Sequence, residues 1–310
     1  MTEFVDAGPW SIINGQPRIL IIGDIMLDVI VKPSGPIVLG SDRQARIETH
    51  AGGSAANQAA WVAHFGGDVT FVAKVGRNDV ASHQATFVKS GVTPILAVDE
   101  SADTGVLITL VDPDGQRSFL TDRAANQNLD VGDLPDSILD QVAILHLSGY
   151  SFFSTRSRAA VSDIVRRAKA KGVLITVDPG SAGFLAEGNC VEFFEWTKDA
   201  SVCFPNSDEA RVLAGSEQPD VQRRVLNDHY PLVIIKRGEL GAEACVAGKV
   251  LVKLSAPKVE VVDTTGAGDA FLAGFLTALS KKQSLETALS AAIEAGSTAT
   301  INFGGRPPSR

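Results

Sequence analysis

Continuous apolar runs alternate with stretches of helical periodicity along most of the chain. Arg18 to Gly23 reads Arg-Ile-Leu-Ile-Ile-Gly, an uninterrupted apolar run closed by glycine. Such a run predicts a parallel strand covered on both faces. Val69 to Val75, Val142 to Leu147, Val173 to Val177, Ser201 to Phe204 and Leu232 to Ile235 follow the same pattern. Between them, helical patterns cover Ala55 to Phe65, Val80 to Ser90, Thr155 to Lys171, Ser207 to Ala214 and Gln218 to Asn227. The alternation predicts an α/β fold with a mostly parallel central sheet, helices on both faces, and ligands at the carboxyl ends of the strands. Two segments break the rhythm. Val29 to Thr49 and Gly105 to Leu120 carry alternating or β-branched residues, with turns at Pro33-Ser34-Gly35 and Asp112-Pro113-Asp114-Gly115. They flank the 55–65 helix in sequence and are candidates to pair as one small sheet.

Chemistry concentrates in Asp263-Thr-Thr-Gly-Ala-Gly-Asp-Ala-Phe271. The β-branched run Val259-Glu-Val-Val262 precedes it, and Phe271, Leu272, Phe275, Leu276 and Leu279 follow at helical spacing. Small residues thus stand where an extended segment turns into a helix. The first turn of a helix presents unpaired N–H groups and partial positive charge, which favour an anion. Gly266 and Gly268 let that backbone approach a ligand without a Cβ in the way. Asp269 lies in the same turn. A carboxylate there is ill suited to holding phosphate alone, but suits proton removal from a hydroxyl that attacks phosphorus. A plain helix start, with Asp offsetting the dipole, would give a similar local string. The segment is neither a Walker loop nor a dinucleotide fingerprint.

A second glycine-rich segment, Gly52-Gly-Ser-Ala-Ala-Asn57-Gln-Ala59, is followed by Gly66-Gly67 and Val75-Gly76. Together the two segments resemble the N-terminal and C-terminal signatures of the PfkB, or ribokinase-like, family of carbohydrate kinases. The resemblance runs from about Arg18 to Pro308. It implies a ribokinase-like domain over 18–310, preceded by a tail over 1–17, with lid segments at about 29–50 and 100–122. It implies ATP-dependent phosphorylation of a hydroxyl, expected to be primary, on a sugar or sugar-like substrate. Asp269 would be the general base, and the N–H groups of Gly266, Ala267 and Gly268 the anion hole. Lids in several members pair between subunits, so a homodimer through the lid is an expectation of the same kind.

Other candidate residues follow. Asp28 stands after the first strand, where a carboxylate can accept from two vicinal hydroxyls; the resemblance puts the sugar-binding Asp there, with Gly53 and Asn57 beside it. Ribokinase itself has an Asn where Met26 stands, a Lys where Ser54 stands and an acidic contact where Ser148 stands, which puts ribose in doubt. Asn206 and Glu209 read locally as a helix cap, and by resemblance as the Asn-x-x-Glu motif that organises Mg²⁺, through water, and the nucleotide phosphates. Lys236 and Gly238 lie in a loop that relatives use against the nucleotide; a solvated basic turn is the competing account. Arg123, after the second lid segment, is placed to close over substrate. Asp263 and Thr265 match positions that hold a monovalent cation, expected to be K⁺, in some members, and the stretch Gly304 to Ser309 resembles the segment completing that site. A nucleoside kinase of the adenosine type is the alternative within the family, and a non-catalytic sugar- or nucleotide-binding module the alternative outside it.

Bulk properties set limits on partners. A net charge of −8 offers no basic face for nucleic acid. Cys190, Cys203 and Cys245 have no metal-ligand spacing and suggest a reducing, cytoplasmic setting. Met1 to Gln16 has no long apolar run, so neither a signal peptide nor a membrane span is expected there.

Overall fold

The computed structural model describes residues 17–112, 114 and 116–308. The expected tail therefore lies almost wholly outside the described residues, as do Pro113 and Gly115 of the 112–115 turn and Ser309. In chain order the strands begin with β1 (Arg18–Ile22), β2 (Met26–Pro33), β3 (Ala45–Gly52) and β4 (Val69–Gly76). β5 (Thr93–Asp99), β6 (Gly105–Val111), β7 (Arg117–Asp122), β8 (Val142–Ser148) and β9 (Leu174–Asp178) follow. The last are β10 (Val202–Cys203), β11 (Leu232–Lys236), β12 (Ala242–Val246) and β13 (Lys249–Leu254). Nine of them form one sheet in the order β13-β12-β11-β10-β9-β8-β1-β4-β5. It is parallel from β11 through β5, and β12 and β13 add an antiparallel margin.

Side chains of β1 show why apolar runs mark such a sheet. Ile19 and Ile21 enter one core, Leu20 and Ile22 the other, and all four are fully buried. The main helices are α1 (Ser54–His64), α2 (Val80–Lys89), α3 (Thr155–Ala170), α4 (Cys190–Thr197), α5 (Ser207–Ala214), α6 (Pro219–His229), α7 (Ala267–Ser280) and α8 (Leu285–Thr300). Residues of α1, α7 and α8 fill the first core, around Trp61, Phe71 and Phe275. Those of α3 to α6 fill the second, around Phe152, Phe193 and Tyr230. Every residue of α7 from Ala270 to Ser280 is buried. That accounts for its apolar character all round and fixes the helix rigidly behind its first turn.

The segments that broke the sequence rhythm form a separate four-stranded sheet, β3-β2-β6-β7, with β2 and β6 parallel and the outer pairs antiparallel. This lid begins earlier than expected, at Met26, so Asp28 lies inside a lid strand opposite His50 rather than in a loop after β1. Three strands and two helices go beyond the sequence expectations: β5, β12, β13, α4 and α8. Val259 to Val262 is not a strand; its end is tied to α8 instead, with the N–H groups of Val262 and Asp263 donating to the Thr300 carbonyl at 2.8 and 3.1 Å. Among the described residues no helix is long and apolar enough to cross a membrane.

Candidate active site

The N-termini of α1 and α7 meet above the carboxyl ends of the central strands. Gly266, the residue before α7, adopts a left-handed conformation (φ 74°), and an added Cβ would lie 2.5 Å from the Gly305 carbonyl oxygen. Glycine is required here by both backbone and space. One turn later, Asp269 is gripped by one face of α1. Its Oδ1 accepts from Ser54 Oγ at 2.6 Å and from Gln58 Nε2 at 3.2 Å, and its Oδ2 accepts from Asn57 Nδ2 at 3.1 Å. Burial pushes this carboxyl up, against the pull of the Ser54 and Asn57 hydrogen bonds, and nearby Asp178 and Asp24 add to the rise, to about 7. Asp269 nevertheless keeps part of its surface open.

The structure adds to two expectations at this point. The amide nitrogen of Asn57, the residue expected to read sugar, donates to Asp269, and its buried Oδ1 has no partner among the described residues. The Ala267 N–H donates to the Thr264 carbonyl at 3.2 Å. The helix-start donors left without a partner among the described residues are therefore those of Gly266, Gly268 and Asp269. That Ser54 and Gln58 hold Asp269 escaped notice in sequence, although positions 54, 57 and 58 share one helical face.

Lys236 closes β11 and reaches the same turn. It is no solvated turn: its Nζ sits 2.6 Å from Asp178 Oδ2, with side chains only 13% and 8% exposed. The ammonium is also near the Gly266–Asp269 turn, 3.8 Å from where a Cβ on Gly268 would be. Burial alone would lower its pKa, but Asp178 and Glu209 outweigh that and raise it, so the charge stays on. Glu209 forms a reciprocal cap with Asn206, each side chain accepting from the other's N–H at 2.8 and 2.9 Å. The local cap and the site position thus coexist in one buried carboxylate, which burial and Asp178 push up. Asp178, at the end of β9, is a member of the cluster that only the Val-Asp-Pro-Gly string at a strand end could have signalled. Gly238 is left-handed (φ 58°) with open space around it.

Asp28 lies on the lid strand β2. Burial first, then Asp24, raise its carboxyl to about 6, while Arg306 and His50 pull the other way. Gly52 leaves it room, since a Cβ there would collide with the carboxylate. Gly53 (φ 92°) is held against the backbone of Asp24 and Ile25, and Asp24 occupies the start of α1 by accepting from the N–H groups of Ser54 and Ala55 at 3.2 and 3.3 Å. Arg123 lies over two rings, 4.5 Å from the Tyr150 centroid and 3.9 Å from that of Phe153. This cation–π stack fixes the guanidinium against the two rings. Asp263 and Thr265 are joined to each other: Asp263 Oδ1 accepts from the Thr265 N–H and hydroxyl at 3.0 and 2.8 Å, while Oδ2 accepts from Gly304 N–H at 3.1 Å. Trp61 Nε1 donates to the Gly305 carbonyl at 2.9 Å, so the C-terminal segment braces the Gly266 turn.

Comparisons with known proteins identify the family and the fold. The model of the pfkB family carbohydrate kinases matches residues 16–310. A fructokinase from Escherichia coli is 27% identical over 274 residues, 85% of this chain and 84% of that protein. Aminoimidazole riboside kinase from Salmonella typhimurium is 29% identical over 281 residues, covering 88% and 84%. The crystal structure of adenosine kinase from Sinorhizobium meliloti superposes with a TM-score of 0.85 at 25% identity, covering 94% of this chain and 96% of that one. With the family model spanning nearly the whole sequence, the chain belongs to the pfkB family of carbohydrate kinases, which are ATP-dependent phosphotransferases.

Proposed function

We propose that one domain over residues 18–310 transfers the γ-phosphoryl group of ATP to a primary hydroxyl of a small neutral sugar, with D-fructose the first candidate. The observation that carries this reading is the Asp269 carboxylate, held by three donors from α1 in the first turn of α7. A base poised near neutrality can take the hydroxyl proton as the oxygen attacks, and release it afterwards. The N–H groups of Gly266 and Gly268, joined by that of Ala267 if it leaves Thr264, face the charge that grows on the transferring group. Lys236 neutralises phosphate oxygens beside them. Asn206 and Glu209 stand on the nucleotide side, where Glu209 would meet the water shell of Mg²⁺ arriving with ATP; the metal shields phosphate charge. Gly238 lets the nucleotide approach its loop.

Asp28 reads the sugar, Gly53 shapes the start of α1 around it, and Arg123 borders the opening. The lid keeps water from competing for the phosphoryl group. Asp263 and Thr265 would hold K⁺ behind the anion hole, their oxygens being hard donors of the appropriate kind. The lid also carries exposed apolar residues, among them Leu27, Ile47, Phe119 and Leu120, which suit pairing with a second copy. Light scattering at micromolar concentration should give twice the chain's mass; the monomer mass would exclude lid pairing. Free thiols at Cys190, Cys203 and Cys245 suit a cytoplasmic location.

The likeness to adenosine kinase favours a second reading, in which a nucleoside is the acceptor. Coupled ADP release with D-fructose, D-ribose and adenosine separates the two. Turnover of D-fructose well above adenosine supports the sugar reading, the reverse order supports the nucleoside one, and ligand binding without ADP would leave only a binding module.

A further inference from the structure

Arg306 lies beyond the last helix, next to Gly305, which packs against the Gly266 turn and Trp61. Its guanidinium is 4.8 Å from the Phe87 ring centroid, and its Nη2 makes only a long 3.5 Å contact with the Gly52 carbonyl. Its Nε is buried and has no partner. Asp28 Oδ1 is likewise buried and unpartnered. The two side chains interact electrostatically, each moving the other toward its charged form, without forming a hydrogen bond. His50 on β3 acts on Asp28, His83 on α2 feels Arg306, and Asp24 acts on Asp28 from the β1 end.

A desolvated charged donor and a desolvated charged acceptor, both unsatisfied and both set against Gly52, where a Cβ would lie 2.1 Å from Asp28 Oδ1, are costly. A ligand that offers one O–H to the acid and one oxygen lone pair to the base satisfies both. We infer that Arg306 is a specificity-determining residue which, with Asp28, reads two neighbouring oxygens of a neutral polyhydroxy substrate. Asp28 Oδ1 accepts from one hydroxyl, and Arg306 Nε donates to the next. An anionic group at this point would meet the Asp28 carboxylate and be repelled, so the pair selects against acidic sugars. The inference rests on the kinase reading and deepens it. A mere brace for the lid would need neither orphaned atom.

The test compares wild type with Arg306→Gln and Arg306→Lys, using D-fructose and ATP. Losing a hydrogen bond to a charged group is worth about tenfold or more in affinity. Arg306→Gln should therefore raise the D-fructose KM about tenfold or more, with kcat and ATP KM within about threefold and the melting temperature nearly unchanged. Arg306→Lys keeps the charge and the aliphatic packing but lacks Nε, so it should show the same split; it also serves if the Gln variant folds poorly. An unchanged D-fructose KM in either folded variant overturns the assignment, as does faster wild-type turnover of D-gluconate than of D-fructose. Absence of wild-type ADP release with D-fructose, D-ribose and adenosine is a different failure, that of the kinase reading. Calorimetric binding of the same compounds then decides Arg306 alone: equal affinity in wild type and Arg306→Gln, or no binding at all, overturns it.

Discussion

Replacing Lys236 by Met separates the structural from the functional work of one buried charge. Its Nζ and Asp178 Oδ2 are 2.6 Å apart, with 13% and 8% of the side chains exposed. Removing the ammonium leaves Asp178 next to Glu209, stabilised mainly by the Gly180 N–H at 2.9 Å. Breaking a buried pair from one side costs about 3–5 kcal/mol. At roughly 2–4 °C per kcal/mol for a chain of this size, the melting temperature should fall by about 6–20 °C. Adding Asp178→Leu removes the stranded charge, and apolar replacement of a whole pair is close to neutral, so most of that loss should return. Nucleotide binding should not return with it. An ammonium about 4 Å from a phosphate oxygen, at an effective dielectric near 20, is worth about 4 kcal/mol, part of which is already spent on Asp178. A net loss of about 1.5–3 kcal/mol corresponds to roughly a 10- to 100-fold rise in ATP KM. Differential scanning fluorimetry and coupled ADP release read the two effects separately. A thermally recovered double variant whose ATP KM lies within about twofold of wild type would refute the phosphate role of Lys236.

Three further outcomes are expected. As pH falls through about 7, kcat/KM should drop with unit slope as Asp269 protonates, and more steeply below about 6 as Asp28 follows, measured from pH 5 to 9. The sign for stability is opposite: a raised folded pKa contributes stability at low pH that is lost as pH rises through about 7, so Asp269→Asn should melt above wild type at pH 8 but not at pH 4. A Cβ at Gly266 meets the Gly305 backbone at φ 74°, so Gly266→Ala should cost stability well beyond the roughly 1–2 kcal/mol of a left-handed alanine and reduce turnover. Gly238→Ala, left-handed in open space, should cost only that smaller amount in the same melts. K⁺ should raise activity over Na⁺ or choline buffer; equal rates in all three would remove the cation from the site.

The central strands were legible because a strand buried on both faces is apolar at most positions, as β1, β4 and β8 are despite Thr70, Lys74, His146 and Ser148. β13 escaped because it is an exposed margin carrying Lys249 and Lys253, and β5 because Pro94 and partial exposure dilute its pattern. The Asp269 turn was legible since a left-handed glycine, a helix start and an acid are local features. Its grip was not, because Ser54 and Gln58 lie 215 and 211 residues away in the chain. The same reason hid Asp178 and Arg306, single residues whose meaning comes from what the fold sets beside them. Asn57 illustrates the limit from the other side: the motif marked the residue, and the fold adds its hydrogen bond to the Asp269 carboxylate.

The most direct measurement is phosphoryl transfer by Asp269→Asn, set beside its binding of ATP and sugar. The unpartnered Asn57 Oδ1 can accept from the new amide after a flip, so the variant is expected to fold. Turnover should fall by about 10²–10⁴ while calorimetric affinities stay within about threefold. Turnover within about threefold of wild type would mean that some other group removes the proton, and the assignment of Asp269 as base would be wrong.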